Sequence, residues 1–310
     1  MLGIIIINYN TFEKTIECIE SIRNSISTDY HIYLIDNNSN NLSQDILENK
    51  YLHDLDITFI KSKDNLGYAR ANNLCIKKAI ADGCKYAIIS NNDIIYKENA
   101  IDIMLSTIEK NSSAFIVGPK VLKMDGNIQS TVKDKCPTFF EYIINETYIR
   151  NFFKKKHPKV ETDVDNNILR EVYWVCGCCF ITELCKFEQI NFFDEYTFLF
   201  FEEYIVAEKA KVAGLTLLYQ PEAQVLHFHG ASMGGSLNIL TRIENLKSET
   251  YFFHNYFKYG DMKMKLIWVV RLAEVAFNYR KEKNKTPLSD YYKQGKEIVR
   301  RKSKEQFIQR

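Results

Sequence analysis

The stretch Gly3-Ile4-Ile5-Ile6-Ile7-Asn8-Tyr9-Asn10 decides the fold. Four consecutive isoleucines suit an extended backbone, where branched side chains pack well on a pleated surface. No polar residue alternates with them, so the strand is covered on both faces, as in the middle of a parallel sheet. Asn10, with Glu13 at the third helical position, reads as the cap of a following helix. Phe12, Ile16, Ile19 and Ile22 then fall on one helical face.

Working outward, further strands are expected at 33–35, 57–60, 86–89 and 114–117. A helix is expected from about Tyr68 to Asp82, stopped by Gly83, and another is marked by Ile101, Met104, Leu105 and Ile108. Gly118-Pro119 ends the fifth strand. This alternation implies a mostly parallel sheet covered by helices. Residues 120–165 read as a polar excursion with a basic patch at Lys154-Lys155-Lys156. The pattern resumes with a strand over 172–182, a helix from about Phe200 to Val212 and a strand over 215–219. From about Arg242 the chain reads as helical, aromatic and increasingly basic, without internal repeats.

The 310 residues are 46% hydrophobic and 26% charged, which is ordinary globular composition and excludes a disordered chain. Lys+Arg is 41 against 39 Asp+Glu, a net charge of +2, so no nucleic-acid partner is expected. No run of about 18 apolar residues is present, so no transmembrane helix is expected. Met1-Leu2-Gly3-Ile4 lacks the basic start of a signal peptide, so a cytoplasmic location is expected. Most of the eight cysteines read as small buried hydrophobes. Cys176-Gly177-Cys178-Cys179 has no second cluster to complete a zinc site, which favours packing over metal or redox chemistry.

Ligands of an open parallel sheet bind at the carboxyl ends of its strands. Asn8, Tyr9 and Asn10 follow the first strand, and Asp36, Asn37 and Asn38 the second. Asp64-Asn65-Leu66-Gly67-Tyr68-Ala69-Arg70-Ala71-Asn72-Asn73 follows the third, and Asn91, Asn92 and Asp93 the fourth. Each set alone is ordinary turn chemistry, but four sets at four successive strand ends point together to a binding site. Neither a dinucleotide fingerprint nor a P-loop follows the first strand.

These segments, in this order, resemble the motifs of family 2 glycosyltransferases, whose fold is the nucleotide-sugar-binding GT-A fold. The resemblance continues through Val175-Cys176-Gly177-Cys178-Cys179-Phe180, Phe193-Asp194-Glu195, Phe200-Phe201-Glu202-Glu203, Ala213-Gly214 and Pro221-Glu222-Ala223-Gln224-Val225-Leu226-His227. It covers about 1–232 and is closest to the rhamnosyltransferase-like branch, where the family's D-x-D often reads N-x-D.

The resemblance implies a divalent metal, Mn2+ or Mg2+, on the donor diphosphate, acting as a Lewis acid on the leaving group. Asp93 is the implied carboxylate ligand and His227 the implied late histidine; a nitrogen ligand tilts the choice toward manganese. Asn91 stands where the family has a carboxylate and is assigned to ribose or water contacts. Asn8, Asn10 and Asn92 belong to the same binding set. Asp36 lies where the family binds the pyrimidine, and a carboxylate there can accept the N3–H of uracil or thymine. Gly67, with Asn65, is expected to let the nucleotide approach the backbone, and Arg70 is expected either to meet a phosphate or to lie in solvent. The family's catalytic base is the second residue of an acidic pair, which falls on Glu203, preceded by Glu202. The segment departs from the family's E-D-x-D, because Ile205 occupies the third acidic position.

The expected architecture is α/β: a GT-A-like mixed sheet flanked by helices over 1–240, then a helical basic extension over 241–310. Residues 1–119 form the nucleotide-binding half and 172–232 the acceptor-side half. The implied function is inverting transfer from a UDP- or dTDP-sugar, with dTDP-rhamnose in view, to a saccharide or lipid-linked saccharide hydroxyl in bacterial surface polysaccharide synthesis. The rivals are a catalytically weakened scaffold, suggested by Ile205, and a nucleotidyltransferase, which would need a basic Gly-rich loop after the first strand. Residues 291–310 carry seven basic and two acidic residues. With Trp268, Phe277 and Tyr279 beside Lys263, Lys265 and Arg271, this region is expected either to rest peripherally on the anionic inner face of a membrane or to pack as a homodimer.

Overall fold

A computed structural model describes residues 1–129, 131–145, 167–228, 239–278 and 288–301. In chain order the first elements are β1 (Leu2–Asn8), α1 (Phe12–Arg23), β2 (Tyr30–Asp36), α2 (Ser43–Tyr51) and β3 (Ile57–Lys61). There follow α3 (Gly67–Ala81), β4 (Tyr86–Asn91), β5 (Ile94–Tyr96), α4 (Ala100–Lys110), β6 (Ala114–Lys123), β7 (Val132–Lys133) and α5 (Phe139–Asn145). Then come β8 (Arg170–Val172), β9 (Trp174–Val175), β10 (Cys179–Glu183), α6 (Leu184–Gln189), α7 (Glu202–Val212) and β11 (Thr216–His227). The last helices are α8 (Ile239–Asn255), α9 (Asp261–Asn278) and α10 (Leu288–Arg301).

The main sheet runs β3-β2-β1-β4-β10-β6-β11-β5, with β8 also paired to β11. β1 lies between β2 and β4, parallel to both. The isoleucines of β1 divide between the two faces as a period of two requires. Ile4 and Ile6 enter a core with Ile19 and Ile22 of α1, and Ile5 enters the opposite core with Ala69, Cys75 and Ala79 of α3. The chain leaves β1 toward β2 and β3 on one side and returns through β4 on the other. The C-terminal ends of β1 and β4 therefore flank the switch point, the place where ligands of open α/β sheets bind.

Beyond β4 the parallel order breaks. β10 inserts antiparallel between β4 and β6, making the sheet mixed. The expected single strand over 172–182 is instead three pieces, β8, β9 and β10. The two short ones pair elsewhere, β8 with β11 and β9 with β7, and residues 176–178 form a loop.

Several local expectations are corrected. Asn10 does not cap α1: it adopts φ 61°, and Thr11 occupies the cap position without a side-chain bond. The helix expected from Phe200 begins at Glu202, because Phe200 and Phe201 hold φ of 73° and 68°, outside helical space. α2 has no strong apolar stripe and was not expected. The excursion over 120–165 contains the end of β6, β7 and α5; Lys154-Lys155-Lys156 lies outside the described residues. The stop at Gly83 is as expected: Cys84 N–H donates to Ala79 O (2.9 Å) and Gly83 N–H to Ile80 O (3.0 Å), with Gly83 at φ 83°.

The chain packs as two compact units. The first comprises the described residues of Met1–Lys135, Asn166–Phe198 and Glu202–Gly235, and the second those of Cys136–Asp165, Leu199–Phe201 and Ser236–Arg310. In the second, Phe139, Tyr142, Phe252 and Phe253 form an aromatic core. Buried Glu249 receives the Tyr142 hydroxyl (2.6 Å) and pairs with Arg271 (3.0 Å). No helix among the described residues is long and apolar enough to cross a membrane.

Candidate active site

The strand ends that carry Asn and Asp are tied together by hydrogen bonds. Asn8, at the end of β1, is fully buried and bonded in every direction. Its amide nitrogen donates to Asp36 Oδ2 (2.7 Å) and Ser39 Oγ (3.2 Å). Its oxygen accepts from the Thr15 hydroxyl (2.8 Å) and from Asn92 Nδ2 (3.3 Å). Asn92 also donates to the hydroxyls of Thr11 and Thr15, each at 2.8 Å. Asp36 is buried as well and accepts from Ser39 twice, through N–H at 2.9 Å and through the hydroxyl at 2.7 Å. The network satisfies each buried polar group it contains, as low-dielectric burial requires. Asn10 ties the same loop down: its N–H donates to Ser39 Oγ (2.9 Å) and its Oδ1 accepts from Asn40 N–H (2.9 Å).

The loop before α3 is joined to this network by Asn37, whose Oδ1 accepts from Leu66 N–H (2.9 Å) and whose Nδ2 donates to Asn65 Oδ1 (3.1 Å). Asn65 Oδ1 also accepts from Gly67 N–H (3.0 Å). Gly67 has φ 74°, and a Cβ there would lie 2.4 Å from the Phe198 carbonyl oxygen. The close neighbour of Gly67 on that side is Phe198, whose carbonyl accepts from Tyr68 N–H (2.9 Å). Arg70 is exposed and donates to the Glu195 carbonyl (3.3 Å).

At the end of β4, Asn91 is half-buried, and among the described residues its side-chain amide makes no hydrogen bond. Asp93 leads into β5, and the β5–β11 register sets Ile94 opposite His227. His227 Nε2 therefore stands 3.2 Å from Asp93 Oδ1, both side chains almost fully buried. The other ring nitrogen, Nδ1, meets Gln129 Oε1 at 3.1 Å. The Gln129 oxygen can only accept, so Nδ1 is the nitrogen that donates to it, and Nε2 is the nitrogen that faces Asp93. Adjacent ligands of an octahedral ion with bonds of about 2.1 Å lie about 3.0 Å apart. The hydrogen-bonded far nitrogen is the usual support of a metal-bound imidazole. The pair thus fits two protein ligands of a divalent cation. Among the described residues no group of three or more His, Cys, Asp or Glu is placed to enclose a metal.

The 176–178 loop separates this pair from the acidic pair. Asn91 N–H donates to the Cys178 carbonyl (2.8 Å), and Gly177 N–H donates to Glu203 Oε1 (2.9 Å). Glu203 is half-buried at the start of α7, and burial holds its carboxyl above the usual range, opposed by the Gly177 N–H and by Lys133. Lys133 donates to the Tyr204 hydroxyl and lies over the rings of Trp174 and Tyr204. Glu202 is buried beside it. Ile205, at the position where the family has an acid, is fully buried in the core. All eight cysteines are free, and burial pushes the Cys179 thiol up to about 12.

A sequence model described as "Glycosyl transferase family 2" matches residues 3–175, more than half of the chain. The chain belongs to glycosyl transferase family 2. It is 24% identical over 182 residues to an N-acetylglucosaminyl-diphospho-decaprenol L-rhamnosyltransferase of Mycobacterium tuberculosis, covering 55% of this chain and 58% of that one. It is 28% identical over 204 residues to the low-salt glycan biosynthesis hexosyltransferase Agl10 of Haloferax volcanii, covering 65% and 59%. The chain thus spans under two thirds of the length of these relatives. Among solved structures, GalNAc-T7 with UDP, GalNAc and Mn2+ superposes with a TM-score of 0.60 at 15% identity, covering 90% of this chain and 57% of that one. TarS 1–349 of S. aureus gives 0.56 at 13% identity, covering 96% and 79%. These likenesses establish the fold, GT-A, as the motifs imply.

Within this family 2 fold, the structure brings Asp93 to His227, and Asn8 to Asp36 and Asn92. Glu203 is bonded to the 176–178 loop at Gly177. Gln129 and Lys133 take up contacts around these residues that no sequence motif marks, and Tyr68, within a marked segment, bonds the Gly177 carbonyl. Gln129 sits in the polar stretch after Pro119 and reaches the site because its N–H donates to the Val121 carbonyl (2.8 Å).

Proposed function

We propose that the chain is an inverting glycosyltransferase that moves a sugar from a UDP- or dTDP-sugar to a saccharide hydroxyl. The observation that carries this reading is the Asp93–His227 pair and the half-buried Glu203 carboxylate flanking one loop. Asp93 and His227 would hold Mn2+ or Mg2+, which supplies charge stabilisation to the departing diphosphate. Asn91, with its amide unengaged, would contact ribose or water. Asp36, Asn8 and Asn92 would act as the floor of the base site, presenting Ser39 and the 37–41 loop, and Asn10 and Asn65 would hold the loops on either side. Gly67 would serve that site by seating α3 against Phe198, and Arg70 would meet donor phosphate at the rim. Glu203 would accept the proton of the acceptor hydroxyl as that oxygen attacks the anomeric carbon, with Glu202 beside it.

The product in view is a bacterial surface polysaccharide, and dTDP-rhamnose is the first donor to try, given the rhamnosyltransferase relative. A lipid-linked acceptor would bring the chain to the cytoplasmic face of a membrane. Met262, Leu266 and Val269 of α9 are exposed on one helical face, which supports peripheral contact; a homodimer through the same face is the alternative. A panel of UDP- and dTDP-sugars in thermal-shift assays, with and without Mn2+, tests the donor reading, because a ligand specific for the folded state raises the melting temperature. A shift is expected for one nucleotide class and is expected to grow with Mn2+. Slow acceptor-free hydrolysis of that donor is also expected. Binding without any hydrolysis or transfer would support the scaffold reading instead.

A further inference from the structure

We propose that Tyr68 is a positioning residue for Glu203, acting through the backbone of Gly177. The Tyr68 hydroxyl donates to the Gly177 carbonyl at 2.6 Å, and the Gly177 N–H donates to Glu203 Oε1 at 2.9 Å. The proposal rests on Glu203 being the base.

The 176–178 loop is held at its ends, where Cys176 N–H donates to the Thr131 carbonyl (2.8 Å) and Cys178 O accepts from Asn91 N–H (2.8 Å). Gly177 lies between, with no side chain to pack. Its N–H, bonded to Glu203, and its C=O, bonded to Tyr68, belong to the two successive peptide planes that meet at its Cα, so the Tyr68 bond holds the second plane and, through the shared Cα, limits the swing of the first. The absence of a Cβ is required, since one would lie 2.8 Å from Glu203 Oε1 and 3.0 Å from its Cγ. Oε1 is thus engaged by the Gly177 N–H, and Oε2 is left for the acceptor proton.

Tyr68 itself is well fixed. Its N–H is bonded to Phe198 O, and its ring meets Phe193 edge-on at a centroid distance of 5.8 Å. Burial, with the negative charge of Glu203 and Glu202 nearby, holds its phenol well above the ordinary range, so it remains a donor wherever Glu203 is ionised. The other titratable groups facing this region are Lys133 from β7, Tyr204 and Glu202 from α7, and Cys176 and Cys178 from the loop itself. Of these, Lys133 favours the charged form of Glu203. A hydrogen bond to a carboxylate favours its charged form. Releasing the Gly177 carbonyl therefore weakens the Gly177–Glu203 bond and raises the titration midpoint of Glu203.

The test is a titration of the full chain labelled with 13Cδ-glutamate and followed by NMR, with the Glu203 resonance assigned by its loss in Glu203→Gln. Tyr68→Phe keeps the ring and removes the hydroxyl. Its Glu203 midpoint is expected to rise by roughly half to one pH unit, about the size of one hydrogen bond. Nucleotide release from the UDP- and dTDP-sugar panel should fall severalfold below that midpoint, with donor affinity unchanged. Tyr68→Met also removes the hydroxyl and should raise the midpoint at least as far, which keeps the test decisive if Tyr68→Phe folds poorly. If the midpoint is unmoved in Tyr68→Phe, or in Tyr68→Met when only that variant folds, while Glu203→Gln is inactive, Tyr68 is not a positioning residue and the base assignment stands. If Glu203→Gln retains full turnover, the base assignment falls and the proposal falls with it.

Discussion

Asp93 and His227 are 134 positions apart in sequence, yet Asp93 Oδ1 and His227 Nε2 stand 3.2 Å apart. The three-residue strand β5, paired antiparallel with the end of β11, makes this meeting possible. Gln129 holds the far nitrogen of the imidazole, so the ring is oriented before any ligand arrives.

Asp93→Ala should abolish the Mn2+-dependent part of the donor thermal shift, because no other carboxylate lies in that turn. His227→Ala should weaken it less, since water can take a vacant coordination position. Gln129→Leu should cost about 10–100-fold in apparent metal affinity, the usual cost of losing an outer-shell partner. Full activity in EDTA would remove the metal from the reading.

Glu203→Gln should preserve donor binding and depress turnover by about 10²–10⁴-fold, the range for a lost general base. Glu202→Gln should do less, and a reversed ranking would move the base to Glu202. Because burial raises the Glu203 carboxyl, the acid limb of the turnover profile should lie above that of an ordinary glutamate.

The same shift has a consequence for stability. A carboxyl with a raised folded-state pKa binds its proton more tightly in the native chain, so its contribution is most favourable at low pH and is lost as pH rises through the folded value. Glu203→Gln should therefore raise the melting temperature more at pH 8 than at pH 4. An equal change at both would mean that Glu203 is not ionising in a desolvated position.

Gly67→Ala should destabilise the chain by more than roughly 2 kcal/mol. The left-handed backbone alone costs an L-residue about 1–2 kcal/mol, and the added Cβ also meets the Phe198 carbonyl. A melting temperature equal to that of the parent would show that the Phe198 segment can move away freely.

Asn8→Ala removes one donor from Asp36 and the acceptor of the Thr15 hydroxyl. Each buried group left unpaired costs about 1–3 kcal/mol, so the melting temperature should fall by several degrees even without nucleotide. A loss of donor binding at unchanged stability would instead make Asn8 a direct ligand contact.

The C-terminal region is tested by liposome flotation. The full chain should float with anionic vesicles at low salt, and a truncation after Arg280 should float less. Failure of the full chain to float would favour an oligomer interface, which sedimentation would then report.

How much was legible in the sequence depended on the range of the interaction. The first four strands, α1, α3 and the strand-end polar sets follow from local patterning: branched runs prefer extended backbone, and Asn, Asp and Gly gather where backbone turns. Asn10 misled because Asn suits both a helix cap and a left-handed turn, and the bond to Ser39 selects the turn. Phe200 and Phe201 misled because nothing local excludes them from a helix.

The sequence by itself determined a GT-A fold and the family, since burial of β1 on both faces and the order of the motifs are properties of the chain read in line. Tertiary structure decided which of the polar residues are bonded to one another. Asn8, Asp36 and Asn92 look alike with Asn91 in sequence, but the first three are consumed by one another while Asn91 is not. Gln129 and Tyr68 acquire their places only through His227 and Gly177, partners 98 and 109 positions away in the chain. Such partners are set by strand register and loop closure, and a side chain's hydrogen bonds follow from whichever atoms those bring within about 3 Å.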